Sequence, residues 1–136
     1  MIVTFAQLSN MIQRLQKPPG FVLACGCFDV VTIGHVRHLQ AAKQLGSYLC
    51  VLVTADQHVN KGVGRPLFGE QERLEVVSSL RCVDCAAINP NPTAVEAIRG
   101  LRPNVYVKGG DYLRQTTPAL EQELAALKEV GGEMKF

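Results

Sequence analysis

The chain has 136 residues, of which 47% are hydrophobic and 19% charged, and its formal net charge is +2. This length and composition predict one domain, residues 1–136, with a core of its own. The mild charge, with no run of Lys or Arg, argues against nucleic acid or a membrane surface as main partner. The sequence has neither an apolar run of about 18 residues nor a signal-peptide pattern, so we expect a cytoplasmic protein.

Helix and strand patterns alternate along the chain. Apolar residues at helical spacing predict helices over about 6–16, 34–45, 69–80, 94–100 and 117–130. Short apolar runs predict strands over 21–25, 48–54, 84–88, 104–108 and from 133 onward. Gly46 is expected to cap the second helix and Thr93 the fourth. Strands joined by helices pair in parallel, which predicts a Rossmann-like, doubly wound α/β sheet of about five strands with helices on both faces.

Three loops, 26–35, 55–67 and 108–112, follow the carboxyl ends of predicted strands. Ligands of open parallel sheets bind at this edge, near the point where strand order reverses. In the first loop, Gly26 and Gly34 let the backbone approach a phosphate closely, and the following helix N-terminus favours anions. The pattern predicts a phosphate site, with His35 on the first helical turn beside it.

The five cysteines allow two interpretations. Cys82 and Cys85 form a C-x-x-C and Cys25 and Cys27 flank Gly26, so a zinc site or redox pair is one alternative. An odd count without a signal peptide argues against a disulfide framework. Because Cys82 and Cys85 fall at a predicted helix-to-strand junction, we favour small buried thiols and assign no metal ligands.

A set of motifs across the chain resembles one family. The set comprises Gly26-Cys27-Phe28-Asp29, Thr32-Ile33-Gly34-His35, the Lys61 and Arg65-Pro66 loop, Arg73, Val83-Asp84 and Lys108-Gly109-Gly110-Asp111-Tyr112. From about residue 6 to the C-terminus, the chain resembles the cytidylyltransferase-like nucleotidyltransferases. Within them it is most similar to the heptose-1-phosphate adenylyltransferase domain of bifunctional ADP-heptose synthases. Glycerol-3-phosphate cytidylyltransferases are the nearest competitors.

The resemblance implies a single displacement. A sugar phosphate, of which heptose 1-phosphate is the favoured candidate, attacks the α-phosphate of a nucleoside triphosphate. The triphosphate is ATP or, as an alternative, CTP. Pyrophosphate leaves together with the Mg²⁺ that the triphosphate carries. The substrate phosphate is already an anion, so the protein has to position the reactants and stabilise charge. The resemblance also raises a homodimer as an alternative to a monomer.

The resemblance also assigns residue roles. His35 would donate to the α-phosphate, with Thr32 and Lys61 as further catalytic residues. Arg65 and Arg73 would bind the substrate phosphate. The nucleotide would be bound by Gly26, Cys27, Phe28, Gly34, Lys108, Gly109, Gly110 and Asp111.

Simpler alternatives stand beside some of these roles. Asp29 is as well explained by capping its turn as by touching a ligand. Arg73 is better explained by pairing with Glu70 or Glu72, or by meeting solvent, than by binding a phosphate. His38 and His58 are interpreted as surface and loop residues.

Two departures from the family pattern bear on activity. Thr32 stands where the family usually has histidine, and a hydroxyl cannot become cationic. The family continues past the last strand into a Ser/Thr-rich turn and a helix that grips the triphosphate, whereas this sequence stops at Phe136. We therefore expect a domain truncated at that end to bind triphosphate poorly, and a non-catalytic nucleotide-binding module is an alternative to the enzyme.

Overall fold

A computed structural model describes residues 1–15, 19–59, 64–108 and 118–135. Within these ranges the helices are α1 (Phe5–Leu15), α2 (Ile33–Gln44), α3 (Glu70–Ser78), α4 (Val95–Leu101) and α5 (Pro118–Glu129). The strands are β1 (Phe21–Gly26), β2 (Tyr48–Thr54), β3 (Cys85–Asn89), β4 (Val105–Val107) and β5 (Glu133–Lys135), and Asp56–His58 forms a 3₁₀ turn. No helix in the described part of the chain has the length and apolar character needed to cross a membrane.

The five strands form one parallel sheet in the order β3-β2-β1-β4-β5. The chain fills the sheet outward from β1 to β3 and then returns to the other side of β1. The strand order therefore reverses between β1 and β4, where open α/β sheets hold their ligands. The doubly wound sheet predicted from the alternating pattern is confirmed.

The core lies in two layers, one on each face of the sheet. Alternate side chains of a strand point to opposite faces, so Leu23 packs with α4 residues such as Ile98 on one side. On the other side Val22 packs with Leu39 of α2 and Val77 of α3. This arrangement confirms the expected three layers.

The helix ends differ in detail from expectation. Leu45, with an ordinary φ of −79°, is the C-cap of α2, so Gly46 is not needed there for its conformational freedom. A Cβ on Gly46 would lie 2.2 Å from the carbonyl oxygen of Gly20, so close packing requires this glycine. Ala94 takes the N-cap position of α4, and Thr93 contributes through its Oγ1, which accepts from the Val95 N–H at 3.3 Å.

The cysteines are all free thiols. Cys82 lies in the turn after α3 and Cys85 begins β3, which confirms the predicted helix-to-strand junction. Cys25 and Cys27 lie at the other end of the sheet, where β1 finishes. Among the described residues no group of three or more His, Cys, Asp or Glu is placed to hold a metal ion.

Candidate active site at the carboxyl edge of the sheet

The turn between β1 and α2 has an unusual backbone at Phe28. Its φ is +54°, a left-handed value that costs a bulky L-residue about 1–2 kcal/mol. The Phe28 ring folds back over Gly26, where a Cβ would come within 2.9 Å of it. The same ring meets the His35 imidazole edge-on, with ring centroids 5.8 Å apart. Strain of this kind is characteristic of functional turns.

Thr32 and His35 fix each other at the start of α2. The Thr32 backbone N–H donates to Nδ1 of His35 at 3.1 Å, and the Thr32 Oγ1 lies 3.1 Å from the same nitrogen. Together they form a capping box with histidine in the place usually taken by Glu or Gln. A backbone N–H can only donate, so Nδ1 is the acceptor and the proton of the neutral ring sits on Nε2.

Gly34 is the second residue of α2 and is exposed. A Cβ there would meet only Thr32 Oγ1, at an ordinary 3.5 Å. The described protein atoms therefore leave room for a side chain at this position. A glycine here keeps the helix N-terminus open for close approach from outside.

Asp29 ties the turn to the loop that precedes α3. Its buried carboxylate accepts from the N–H groups of Leu67 and Phe68 at 2.9 and 3.0 Å and from Arg65 Nη1 at 2.8 Å. Burial by itself would raise the pKa of Asp29, but the Leu67 N–H, the Arg65 guanidinium and the Phe68 N–H lower it to about 2. The sequence left open whether Asp29 caps its turn or contacts a ligand, and the structure shows that it holds the turn.

Arg73 lies at the centre of the site's scaffold and is only 1% exposed. Its Nη1 donates to the carbonyl oxygens of Cys27 at 2.8 Å and Thr54 at 2.7 Å, and its Nε donates to that of Phe68 at 2.9 Å. Nη2 pairs with Asp56 at 2.6 Å. The expected pairing with Glu70 or Glu72, or exposure to solvent, is wrong. Because its donors are directed at protein oxygens, we no longer assign Arg73 to a substrate phosphate.

A polar cavity of about 260 Å³ opens beside the turn, above the ends of β1 to β4. Its floor carries a buried ion pair: Glu123 of α5 is 3% exposed and lies 3.0 Å from Lys108 Nζ. The Glu123 carboxylate also accepts from the Ala94 N–H at 3.3 Å and the Tyr106 hydroxyl at 3.4 Å. Lys108, expected at the nucleotide wall, therefore faces this cavity.

Two further ionisable groups of the cavity wall, Cys25 and Tyr106, stay neutral. Burial, with the Glu123 charge second, raises the pKa of Cys25 to about 12. Burial also raises the pKa of Tyr106 well above its usual value. At neutral pH these side chains are a thiol and a phenol, so neither is a nucleophile there.

The structure brings together most of the described residues that the sequence singled out. Gly26, Cys27, Phe28, Thr32, Gly34 and His35 share one turn, and Arg65 reaches it through Asp29. Asp84 instead clamps β2 and α2 at the far end of the sheet, accepting from the Leu49 N–H at 2.8 Å and pairing with Lys43. Lys61, Gly109, Gly110 and Asp111 lie outside the described residues.

The sequence did not single out several residues of the cavity wall, among them His58, Asn89 and Glu123. His58 was interpreted as a plain loop residue, yet it lines the cavity and contacts the Pro90 carbonyl at 3.1 Å. Asn89 ends β3 at the same edge, so the strand-end rule could have found it. Glu123 follows Leu120 and precedes Leu127 at helical spacing, which places a carboxylate on the apolar face of α5.

Comparison with known proteins agrees with the geometry. The model of the Cytidylyltransferase-like family matches residues 23–136. The chain belongs to this family. The family resemblance predicted from the sequence motifs is confirmed.

The chain is similar in sequence to proteins of two named kinds. The chain is 42% identical over 123 residues to the "Bifunctional protein HldE" of Streptomyces coelicolor, covering 88% of this chain and 26% of that protein. It is 38% identical over 134 residues to a "D-beta-D-heptose 1-phosphate adenylyltransferase" of Bordetella bronchiseptica, covering 96% and 80%. The chain thus spans about a quarter of the bifunctional relative.

Solved structures share the fold. A lipopolysaccharide core biosynthesis protein from Thermoplasma volcanium matches with a TM-score of 0.71 and 27% identity, over 87% of this chain and 93% of that one. A pantoate-beta-alanine ligase from Francisella tularensis, 12% identical, has a TM-score of 0.62 over 99% of this chain and 65% of that one. At that identity the second likeness concerns the fold alone.

Proposed function

We propose that this domain transfers a nucleoside monophosphate from a nucleoside triphosphate to a sugar phosphate and releases pyrophosphate. ATP is the proposed donor and heptose 1-phosphate the proposed acceptor. The names of the relatives support this assignment. One relative that aligns with nearly the whole of this chain is named a heptose 1-phosphate adenylyltransferase. The observation that carries it is the His35 imidazole fixed at an open helix N-terminus.

His35 would act as a hydrogen-bond donor to the α-phosphate. Thr32 holds Nδ1 as an acceptor, so Nε2–H is left to donate. The N-terminus of α2 adds partial positive charge where the phosphoryl oxygens gain negative charge. A donor fixed before the reaction needs no reorganisation when that charge develops, which is the usual source of such stabilisation.

Thr32 contributes chiefly by orienting His35. Its N–H belongs to the backbone, so the contact to Nδ1 does not require the histidine that the family usually has here. Lys61, Gly109, Gly110 and Asp111 keep their proposed roles toward the nucleotide, and Arg65 keeps its role toward the acceptor phosphate. With its Nη1 on Asp29, Arg65 is more than one-third exposed.

Magnesium enters as part of the triphosphate substrate. Asp29 and Asp56, two carboxylates near the turn, are paired with Arg65 and Arg73, which supports an ion carried by the substrate. The ion would neutralise charge on the departing pyrophosphate. The cytoplasmic location expected from the sequence stays a prediction.

Pyrophosphate release tests the proposal. ATP or CTP is supplied with heptose 1-phosphate or glycerol 3-phosphate, and the wild type is compared with His35→Gln and the control His38→Gln. His38 lies three residues further along α2, and burial, followed by the nearby His35, lowers its pKa. We expect ATP with heptose 1-phosphate to be turned over, and kcat to fall about 10²–10³-fold in His35→Gln alone.

Other outcomes would contradict the proposal. Preference for CTP with glycerol 3-phosphate would reassign the substrates within the same chemistry. Nucleotide binding without release of pyrophosphate from any pair would favour the non-catalytic module, which is motivated by Thr32 at the position where the family usually has histidine.

A further inference from the structure

The polar cavity beside the turn contains a buried pair of opposite charges. The Glu123–Lys108 pair is buried at its floor, with 3% and 14% of the side chains exposed. A buried ion pair gains little stability over well-packed apolar side chains, because both charges lose their hydration. Its presence at the floor of a cavity, next to the proposed reaction centre, points to a ligand.

The Glu123 carboxylate has acceptor capacity left for such a ligand. Of its three contacts with the described residues, those to the Ala94 N–H and the Tyr106 hydroxyl, at 3.3 and 3.4 Å, are longer than typical hydrogen bonds. A carboxylate offers about four lone-pair directions. Ligand hydroxyl groups would therefore find a strong acceptor here.

The carboxylate also favours one end of the acceptor over the other. An ionised carboxylate has no hydrogen to donate to a phosphate oxygen, but it accepts from neutral hydroxyl groups. Gly26 and Cys27, which begin the turn that leads to the positive N-terminal end of α2, also line the cavity. A polyol phosphate would thus lie with its hydroxyl groups on Glu123 and its phosphate toward the turn.

The size of the cavity fits this occupant. Its volume is about 260 Å³, just below the ~300 Å³ at which typical pockets for drug-sized ligands begin. A monosaccharide-sized molecule fits this volume.

We propose that Glu123, positioned by Lys108, binds the hydroxyl groups of the acceptor in this cavity and determines which sugar phosphate the enzyme accepts. The inference rests on the proposed function for the phosphate end of the acceptor. His58 and Asn89 complete the polar wall at the ends of β2 and β3.

The test compares Glu123→Gln with Glu121→Gln, which removes an exposed carboxylate from the same helix. We expect Glu123→Gln to raise KM for heptose 1-phosphate about 10- to 100-fold, as for the loss of a charged hydrogen-bond acceptor. KM for ATP should change less than twofold, and the preference for heptose 1-phosphate over glycerol 3-phosphate should shrink. Glu121→Gln should match the wild type.

Two additions keep the test decisive. Glu123→Asp keeps the charge near Lys108 but withdraws it by one methylene, so it replaces Glu123→Gln if that variant does not fold. Calorimetry with heptose 1-phosphate alone measures binding without turnover. Binding that is lost in the Glu123 variant would support the inference even if no pyrophosphate were released.

Three results would overturn the inference. They are an unchanged acceptor KM and preference in a folded Glu123 variant, an equal rise in KM for ATP, and no binding of heptose 1-phosphate to the wild type at millimolar concentration. The first of these, with normal turnover, would leave the proposed function intact.

Discussion

Nη1 of Arg73 donates to the carbonyl oxygen of Cys27 at 2.8 Å, and this contact joins α3 to the proposed phosphate turn. The same guanidinium binds the carbonyls of Thr54 and Phe68, so three segments of the site meet at one side chain. Arg73 is therefore a positioning residue for the turn.

Arg73→Lys should destabilise the protein even though the charge is kept. An ammonium cannot reproduce the planar fork, and buried carbonyls would lose their donors. We expect a loss of about 2–3 kcal/mol in the free energy of unfolding, mostly from the carbonyls because Asp56 is 46% exposed. Urea denaturation measures it, with the exposed Arg81→Lys as control. Equal stability of the two variants would contradict this role.

Asp29 should make the free energy of unfolding depend on pH in the acidic range. The pKa of Asp29 is about 2 in the folded protein, below its ordinary value of 3.8. At pH values between these two, the unfolded chain therefore binds more protons than the folded protein. The stabilisation is complete above about pH 4 and is lost as the pH falls toward 2. The free energy of unfolding of Asp29→Asn should be lower than that of the wild type at pH 6, and it should change less between pH 4 and pH 2. Denaturation midpoints across this range, with Glu75→Gln as control, measure the effect, and parallel curves for Asp29→Asn and wild type would refute it.

Thr32→Val should separate capping from catalysis. The backbone N–H that orients His35 remains, so we expect kcat to fall no more than about tenfold, or ~1.4 kcal/mol. The lost cap should cost about 0.5–2 kcal/mol of stability. Thr4→Val is the matched control, because Thr4 and Gln7 form the same reciprocal pair at α1. A loss of kcat in Thr32→Val as large as in His35→Gln would show that the hydroxyl itself acts on the substrate.

Cys25 should resist alkylation in the folded protein. With a pKa of about 12, raised first by burial, it holds almost no thiolate at pH 8. Iodoacetamide labelling followed by mass spectrometry should leave Cys25 unmodified until the protein is denatured. Rapid labelling of native Cys25 would revive the thiol hypothesis set aside above.

The sequence predicted well what depends on local pattern. The apolar run of β2 gave its bounds of Tyr48–Thr54, and the glycine turn located His35, because each signal lies within a few residues. The partners of Arg73 are not local in this way: they lie as far as 46 residues away, so inspection of neighbouring charges suggested Glu70 and Glu72 instead. The helical spacing alone could have placed Glu123 on the apolar face of α5. Its pairing with Lys108 becomes visible only in the folded structure.

The state of the His35 ring tests the central claim most directly. Nitrogen NMR on protein labelled at histidine reports which ring nitrogen carries the proton and whether a nonhydrolysable ATP analogue perturbs it. We predict the Nε2–H tautomer in the free protein and a shift of Nε2 on binding the analogue, with His38 as internal control. An Nδ1–H tautomer, or nucleotide binding that leaves Nε2 of His35 unchanged, would contradict the account.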